Sequence, residues 1–131
     1  MNAARKPDVL IVDDDPIIRD VLRVILLHCG YRVVGDTGDG GQVLTLCGAL
    51  NPEVVLLDIN MPGSDGLRVL DALRERYPRV AVVMVTGETS IAKVQEALGK
   101  GACGYVVKPF NDSRLINAIE AALVRMQGVA G

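Results

Sequence analysis

The chain has 131 residues, and its length predicts one domain spanning 1–131, with a core from about residue 8 to residue 126. The net charge of −2 is spread along the sequence, so direct nucleic-acid binding is not expected. Three cysteines without a Cys-x-x-Cys pair argue against a disulfide framework or zinc site, and no signal peptide or bilayer-length apolar run is found. A cytoplasmic protein without membrane insertion is therefore expected.

Short β-branched runs alternate along the chain with longer amphipathic segments, which is typical of consecutive βα units. The pattern predicts five strands, near residues 8–13, 31–35, 53–58, 80–85 and 103–107. It predicts five helices, near residues 16–28, 39–50, 65–77, 89–99 and 112–126. Residues 128–131 are expected to form a frayed tail.

The first predicted helix follows Asp15, whose carboxylate is expected to cap it, and opens with Pro16. Its buried stripe is predicted to contain Ile17, Val21, Val24, Ile25 and Leu26. Its water-facing side is predicted to contain Arg19, Asp20 and Arg23. His28 is expected to meet the carboxyl-terminal end of this helix.

The first and third apolar runs are hydrophobic on both faces, as a covered sheet requires, whereas the run at residues 31–34 is mixed and suits an edge. Right-handed crossovers then favour the strand order 2-1-3-4-5. We therefore expect an α/β fold, a flavodoxin-like (βα)5 doubly wound parallel sheet. Ligands of such sheets bind beyond the carboxyl ends of the strands, where strands one and three are adjacent.

Polar residues follow four of the predicted strands. Asp13 and Asp14 follow the first strand, Asp58 the third, Thr86 the fourth and Lys108 the fifth. Three carboxylates at one sheet edge would repel one another by several kcal/mol unless a cation joined them, and Mg²⁺ (or Mn²⁺) suits so small an oxygen ligand set. A carboxylate can also accept a phosphoryl group, whose oxygens the metal, the Lys108 amine and the Thr86 hydroxyl would neutralise.

Four ordered motifs carry a resemblance that covers essentially the whole chain: Val-Asp-Asp-Asp-Pro, Leu-Leu-Asp-Ile-Asn-Met-Pro-Gly-Ser-Asp-Gly, Val-Thr-Gly-Glu and Gly-Tyr-Val-Val-Lys-Pro-Phe. The chain resembles the receiver domain of a two-component response regulator, in particular the stand-alone, chemotaxis-type regulators. The resemblance implies that Asp58 is the phosphoacceptor and that Asp14 binds the metal directly. Asp13 would act mostly through water, Asn60 would contribute its backbone carbonyl, and Thr86 and Tyr105 would form the switch pair.

The same resemblance implies a phosphorylation-dependent signalling switch that is not an enzyme, although it assists its own phosphorylation and dephosphorylation. A sensor histidine kinase or a histidine phosphotransfer protein would supply the phosphoryl group. A downstream protein would bind the face formed by helix four, strand five and helix five. Asn60 and Glu88 occupy positions that tune water access in the family, which suggests a short signal lifetime. Both a lone receiver and a piece of a longer chain remain open.

Two other functions are compatible with parts of the pattern. The first is a haloacid-dehalogenase-like phosphohydrolase, whose aspartyl phosphate would form on the first strand. It leaves Asp58 without a role, and no acidic pair ends a strand after Lys108. The second is a phosphorylation-independent adaptor, against which the intact set of Asp13, Asp14, Asp58, Thr86 and Lys108 argues.

Overall fold

The computed structural model describes residues 6–130, and residues 1–5 and 131 lie outside it. The main sheet has five strands: β1 (Asp8–Val12), β2 (Arg32–Thr37), β3 (Val54–Leu57), β4 (Ala81–Thr86) and β5 (Gly104–Val107). The helices are α1 (Pro16–His28), α2 (Val43–Leu50), α3 (Gly66–Arg76), α4 (Ile91–Gly99) and α5 (Asp112–Ala130). A 3₁₀ turn, Gly40–Gln42, precedes α2, and a small hairpin pairs Asn60–Met61 with Ser64–Asp65.

All strand pairings in the main sheet are parallel, and the strand order is β2-β1-β3-β4-β5. This confirms the predicted flavodoxin-like topology, with β2 at an edge. Because Val12 of β1 pairs with Leu57 of β3, the two central strands end side by side. The residues that follow them, Asp13 and Asp58, are therefore placed next to each other by strand register.

The sheet is covered on both faces, as the apolar runs predicted. Alternate residues along each central strand point to opposite faces. Leu10 and Val12 pack with side chains of α2, α3 and α4. Val9 and Ile11 pack with side chains of α1 and α5. This double burial fixes the strands tightly, and so it holds the loops at their carboxyl ends in place.

The predicted buried face of α1 is wrong in part. Leu22, Ile25 and Leu26 are the buried residues of this helix. Ile17, Val21 and Val24 are 70%, 42% and 63% exposed. Apolar residues surround most of this helix, so the 3.6-residue period does not decide which side faces the sheet. Packing against β1, β2 and α5 selects the side carrying Leu22 and Leu26.

The predicted boundaries are close to the observed ones, with two differences at helices. The 3₁₀ turn separates residues 40–42 from the regular part of α2, and Asp39, the first residue of the predicted helix, lies before the turn and caps it. Residues 128–130 continue α5 instead of fraying, while residue 131 lies outside the described residues. Among the described helices, none combines the length and the hydropathy that crossing a membrane requires.

Candidate functional site

Three polar side chains lie almost completely buried at the carboxyl edge of the sheet. Asp13 is 1% exposed, Asp58 is 5% exposed and Thr86 is 0% exposed. Each stands at or just beyond the end of a central strand, and Asp14, beside Asp13, is exposed. Charged groups are seldom buried to this extent unless they are paired or bind a metal.

Lys108 connects the two buried carboxylates. Its Nζ donates to Asp13 Oδ2 at 2.7 Å and to Asp58 Oδ2 at 3.0 Å. The amine lies beyond β5, and the peptide bond between Lys108 and Pro109 is cis. The fifth strand thus brings a cation to the acids of the first and third strands, as predicted.

The carboxylates of Asp13, Asp14 and Asp58 can place one oxygen each within 4.8 Å of one another. Burial raises the pKa of Asp13, and the hydrogen bond and charge of Lys108 offset this only partly. Burial by itself lowers the pKa of Lys108, but the hydrogen bonds and charges of Asp13 and Asp58 outweigh it, so the net pKa is raised. Asp13 is therefore electrostatically strained in its ionised form, and three hard oxygen donors fit a divalent cation such as Mg²⁺.

The backbone around Asp58 holds its carboxylate in one orientation. Asp58 N donates to Val12 O at 3.1 Å, and Asn60 N donates to Asp58 Oδ1 at 3.2 Å. Gly66 packs so closely behind this turn that an added Cβ would lie 2.1 Å from the Asp58 carbonyl oxygen. The motif glycine is thus required by close approach of backbone. An open cleft beside the site is lined in part by Asn60, Asp14 and Lys93. The site meets solvent through this cleft.

Thr86 and Tyr105 contact the same residue of the loop after β4. Thr86 Oγ1 accepts a hydrogen bond from Glu88 N at 3.2 Å, and Tyr105 Oη donates to Glu88 O at 2.7 Å. Tyr105 is half-buried against the hydrophobic core, and burial raises its pKa. The predicted switch pair is therefore joined through Glu88, although its two side chains come from different strands.

Arg19 is more buried than the sequence predicted, with a side chain that is 21% exposed. It was predicted to face water, but Arg19 Nη1 donates to the Asp13 carbonyl oxygen at 2.5 Å, and Arg19 Nε lies 3.6 Å from Asp36 Oδ1. Its position on the predicted polar side of α1 was correct. The sequence gives no signal of Asp36, because that partner comes from β2 and is brought in by the fold.

Comparison with known proteins places this arrangement in a family. The model of the response regulator receiver domain matches residues 9–120, which include Asp13, Asp58, Thr86 and Lys108. The chain belongs to the response regulator receiver domain family. This confirms the resemblance drawn from the four motifs. Receiver domains bind Mg²⁺ at an acidic pocket, and the three clustered aspartates form such a pocket in this receiver domain.

Sequence alignments with two relatives cover most of this receiver domain. It is 43% identical over 117 residues to the positive alginate biosynthesis regulatory protein of Pseudomonas aeruginosa, covering 88% of this chain and 46% of that protein. It is 36% identical over 129 residues to the transcriptional regulatory protein PdtaR of Mycobacterium tuberculosis, covering 98% of this chain and 62% of that protein. The chain thus spans about half the length of the curated relatives it matches.

Two solved structures match this chain along almost their full length. The chemotaxis protein CheY4 of Vibrio cholerae superposes with a TM-score of 0.83 at 34% identity, covering 90% of this chain and 99% of that one. A CheY-like receiver domain protein of Methanospirillum hungatei gives a TM-score of 0.85 at 30% identity, covering 94% and 98%. Both comparisons agree with the five-stranded topology described above.

Proposed function

We propose that this receiver domain is a phosphorylation-dependent switch in which Asp58 accepts a phosphoryl group from a phosphohistidine. The observation that carries the proposal is the double contact of Lys108 with Asp13 and Asp58 at the mouth of an acidic cluster. Lysine side chains are mostly exposed, whereas the side chain of Lys108 is 21% exposed. Here the amine is shared between the acid to be modified and an acid suited to metal binding.

The proposed reaction transfers a phosphoryl group between two nucleophiles. An Asp58 carboxylate oxygen forms the new bond to phosphorus while the bond from phosphorus to the donor imidazole nitrogen breaks. The electron pair stays on that nitrogen, which can take a proton. A bound Mg²⁺ would neutralise phosphoryl oxygens, with Asp14 and Asp58 as direct ligands, Asp13 acting through water and Asn60 supplying its carbonyl. Lys108 would turn from the carboxylates to a second phosphoryl oxygen.

The signal would then pass through the Thr86–Glu88–Tyr105 connection. Thr86 is completely buried at the end of β4, the strand that pairs with the one leading into Asp58, and its hydroxyl would bind a phosphoryl oxygen when the loop after β4 moves. That movement would displace Glu88, to which the Tyr105 hydroxyl is bonded. The downstream protein would bind the surface of α4, β5 and α5, where Ile91, Leu98 and Val107 are exposed apolar residues.

The donor protein is proposed to rest on α1. One face of this helix is exposed and apolar, and it carries Ile17, Val21 and Val24. Ile17 lies two residues after Asp15, the last residue of the acidic loop. A protein whose phosphohistidine reaches Asp58 must cover the surface beside the site. We therefore propose that an apolar helical surface of a histidine kinase or phosphotransfer protein binds α1. Such a partner would bury the exposed stripe that the sheet leaves open.

A pair of glutamate variants separates this docking role from the chemistry. Val24→Glu should slow transfer from a phosphorylated histidine kinase that labels the wild type by about tenfold, because a charge enters the apolar contact. It should leave labelling by acetyl phosphate unchanged. Val124→Glu, on the equally exposed apolar residue of α5, is the control. Equal slowing with both phosphodonors would argue against docking on α1.

The phosphoacceptor itself is tested by labelling. Asp58→Asn should abolish incorporation from acetyl phosphate in the presence of Mg²⁺, and peptide mapping of the wild type should place the phosphoryl group on Asp58. A label on Asp14 would overturn the assignment. Steady phosphatase turnover by Asp58→Asn would instead favour the phosphohydrolase alternative.

A further inference from the structure

We propose that Arg19 is a positioning residue for the acidic loop, which fixes Asp13 and Asp14 in the geometry that a divalent cation requires. The inference rests on the proposed metal site. The inference is based on the contact of Arg19 with the acidic loop. The Arg19 guanidinium binds the main chain of Asp13 rather than any carboxylate of the cluster. Arg19 thereby places a cation beside the site without occupying the cation position.

Asp13 is held at every polar group it has. Its N–H donates to Thr37 O at 3.0 Å, and its carbonyl accepts from Arg19. Its Oδ1 accepts from Asp15 N at 2.9 Å, and its Oδ2 accepts from Lys108. Of these four contacts, the one with Lys108 would be given up when the amine turns to a phosphoryl group. The contact with Arg19 uses the main chain, so it can persist in both states.

Arg19 is itself anchored from the neighbouring strand. Asp36 on β2 pairs with both Arg19 and Arg23. Gly38 allows the loop after β2 to close over the contact, since an added Cβ would lie 2.9 Å from Arg19 Nη1 and 3.3 Å from Asp14 Cα. The loop that carries Asp13 and Asp14 is therefore clamped between α1 and the end of β2. In other proteins, hydrogen bonds from residues behind the metal ligands hold those ligands in the orientation that the metal needs.

The charge of Arg19 and its positioning role predict opposite effects on divalent-cation affinity when Arg19 is removed. Removing a nearby positive charge, taken alone, strengthens the binding of a divalent cation. Releasing the acidic loop weakens it, because the ligands must then be ordered when the metal binds. Arg23 gives the matched control: in the part of the chain that the structure describes, it pairs with Asp36, while Arg19 bridges from Asp36 to the Asp13 carbonyl.

The test measures Mg²⁺ affinity by titrating the full chain with MgCl₂ in a calorimeter. It compares the wild type with Arg19→Ala, Arg19→Lys and Arg23→Ala. Arg19→Ala is expected to bind Mg²⁺ about tenfold more weakly. Arg19→Lys keeps the charge but cannot bridge Asp36 and the Asp13 carbonyl in the same way, so it should also bind more weakly. Arg23→Ala should bind as the wild type does, or slightly more tightly.

Gly38→Ala gives an independent variant if Arg19→Ala folds poorly. It retains Arg19 but crowds its Nη1, so it is expected to weaken Mg²⁺ binding as well. Metal-free amide spectra of Asp14 and Asp15 should change in Arg19→Lys and not in Arg23→Ala. Wild-type affinity in a folded Arg19→Ala, or equal weakening in Arg23→Ala, would overturn the positioning role alone. A wild type that binds no Mg²⁺ would contradict the proposed metal site together with it.

Discussion

The two ends of the five-stranded sheet handle charge in opposite ways. At the amino end, Asp8 and Arg32 form a pair 3.5 Å apart with side chains that are 14% and 71% exposed, and Lys6 lies 3.9 Å from Glu120, with side chains that are 41% and 54% exposed. At the carboxyl end, Lys108 contacts Asp13 and Asp58, whose side chains taken alone are 2% and 6% exposed. Exposed pairs contribute little to folding, whereas buried charges depend strongly on their partners.

The difference shows where the fold gives up stability for function. The central strands are buried on both faces along their length, so packing holds both of their ends in place. Rigidity at the carboxyl end holds like charges together, at a cost that a metal ion and a phosphoryl group can relieve. This end should therefore respond strongly to substitutions and ligands that leave the rest of the molecule unaffected.

The largest expected effect comes from backbone crowding at the carboxyl end. Gly66→Ala would put a methyl group 2.1 Å from the Asp58 carbonyl oxygen, so it should cost about 3 kcal/mol of the free energy of unfolding and displace Asp58. Gly99→Ala, at a helical glycine with open space around it, should change stability by less than about 1 kcal/mol. Urea denaturation measures both; a Gly66→Ala protein of wild-type stability would contradict the close packing.

The second largest effect on stability is expected at Lys108, which is compared with Lys100 because both amines lie at similar distances from a carboxylate. Lys108→Ala leaves Asp13 and Asp58 without their amine, so metal-free stability should fall by about 1–3 kcal/mol at neutral pH. The pKa of Lys108 is raised, so its contribution should persist through neutral pH and be lost only in strongly alkaline solution. Mg²⁺ should bind more tightly to this variant, because a competing cation is gone.

Lys100 provides the control for this comparison. Its Nζ lies 2.9 Å from Asp71 Oδ2 on the surface, and Lys100→Ala should leave the melting temperature nearly unchanged. Equal losses of stability for the two lysine variants, measured by thermal unfolding, would remove the distinction between the buried and the exposed ion pairs.

A smaller effect of opposite sign is expected at Asp13. Burial raises its pKa, so the folded protein binds this proton more tightly than the unfolded chain, and stability is lost as pH rises from the ordinary value through the raised one. Metal-free Asp13→Asn should therefore melt a few degrees above the wild type at neutral pH. The difference should disappear in acid, where the wild-type carboxyl is protonated, and saturating Mg²⁺ should reverse the order.

Sequence predicted the site better than it predicted the surface around it. Asp13, Asp58, Thr86 and Lys108 each follow an apolar run, so the strand pattern and the parallel topology were sufficient to bring them together. Their roles in phosphoryl transfer stay predictions. Ile17, Val21 and Val24 were misassigned because α1 is apolar around most of its circumference, and only tertiary packing selects the buried side.

Long-range pairs explain the remaining gaps. The Arg19 contact with the Asp13 carbonyl depends on Asp36 from another strand and on the space left by Gly38. The connection of Tyr105 to Thr86 through Glu88 depends on how the loop after β4 folds back. Neither is visible in local periodicity, because both partners are set by where β2, β4 and β5 lie in the sheet.

The most direct test of the central claim is whether occupying the carboxyl end moves the switch residues. Amide spectra should be recorded for the wild type and for Asp58→Asn with Mg²⁺, before and after addition of beryllofluoride as the phosphoryl mimic. The resonances of Thr86, Glu88 and Tyr105 should shift in the wild type and stay in place in Asp58→Asn, while those of Asp8 and Arg32 at the amino end should not move. A wild type in which Thr86 and Tyr105 do not respond would contradict the account.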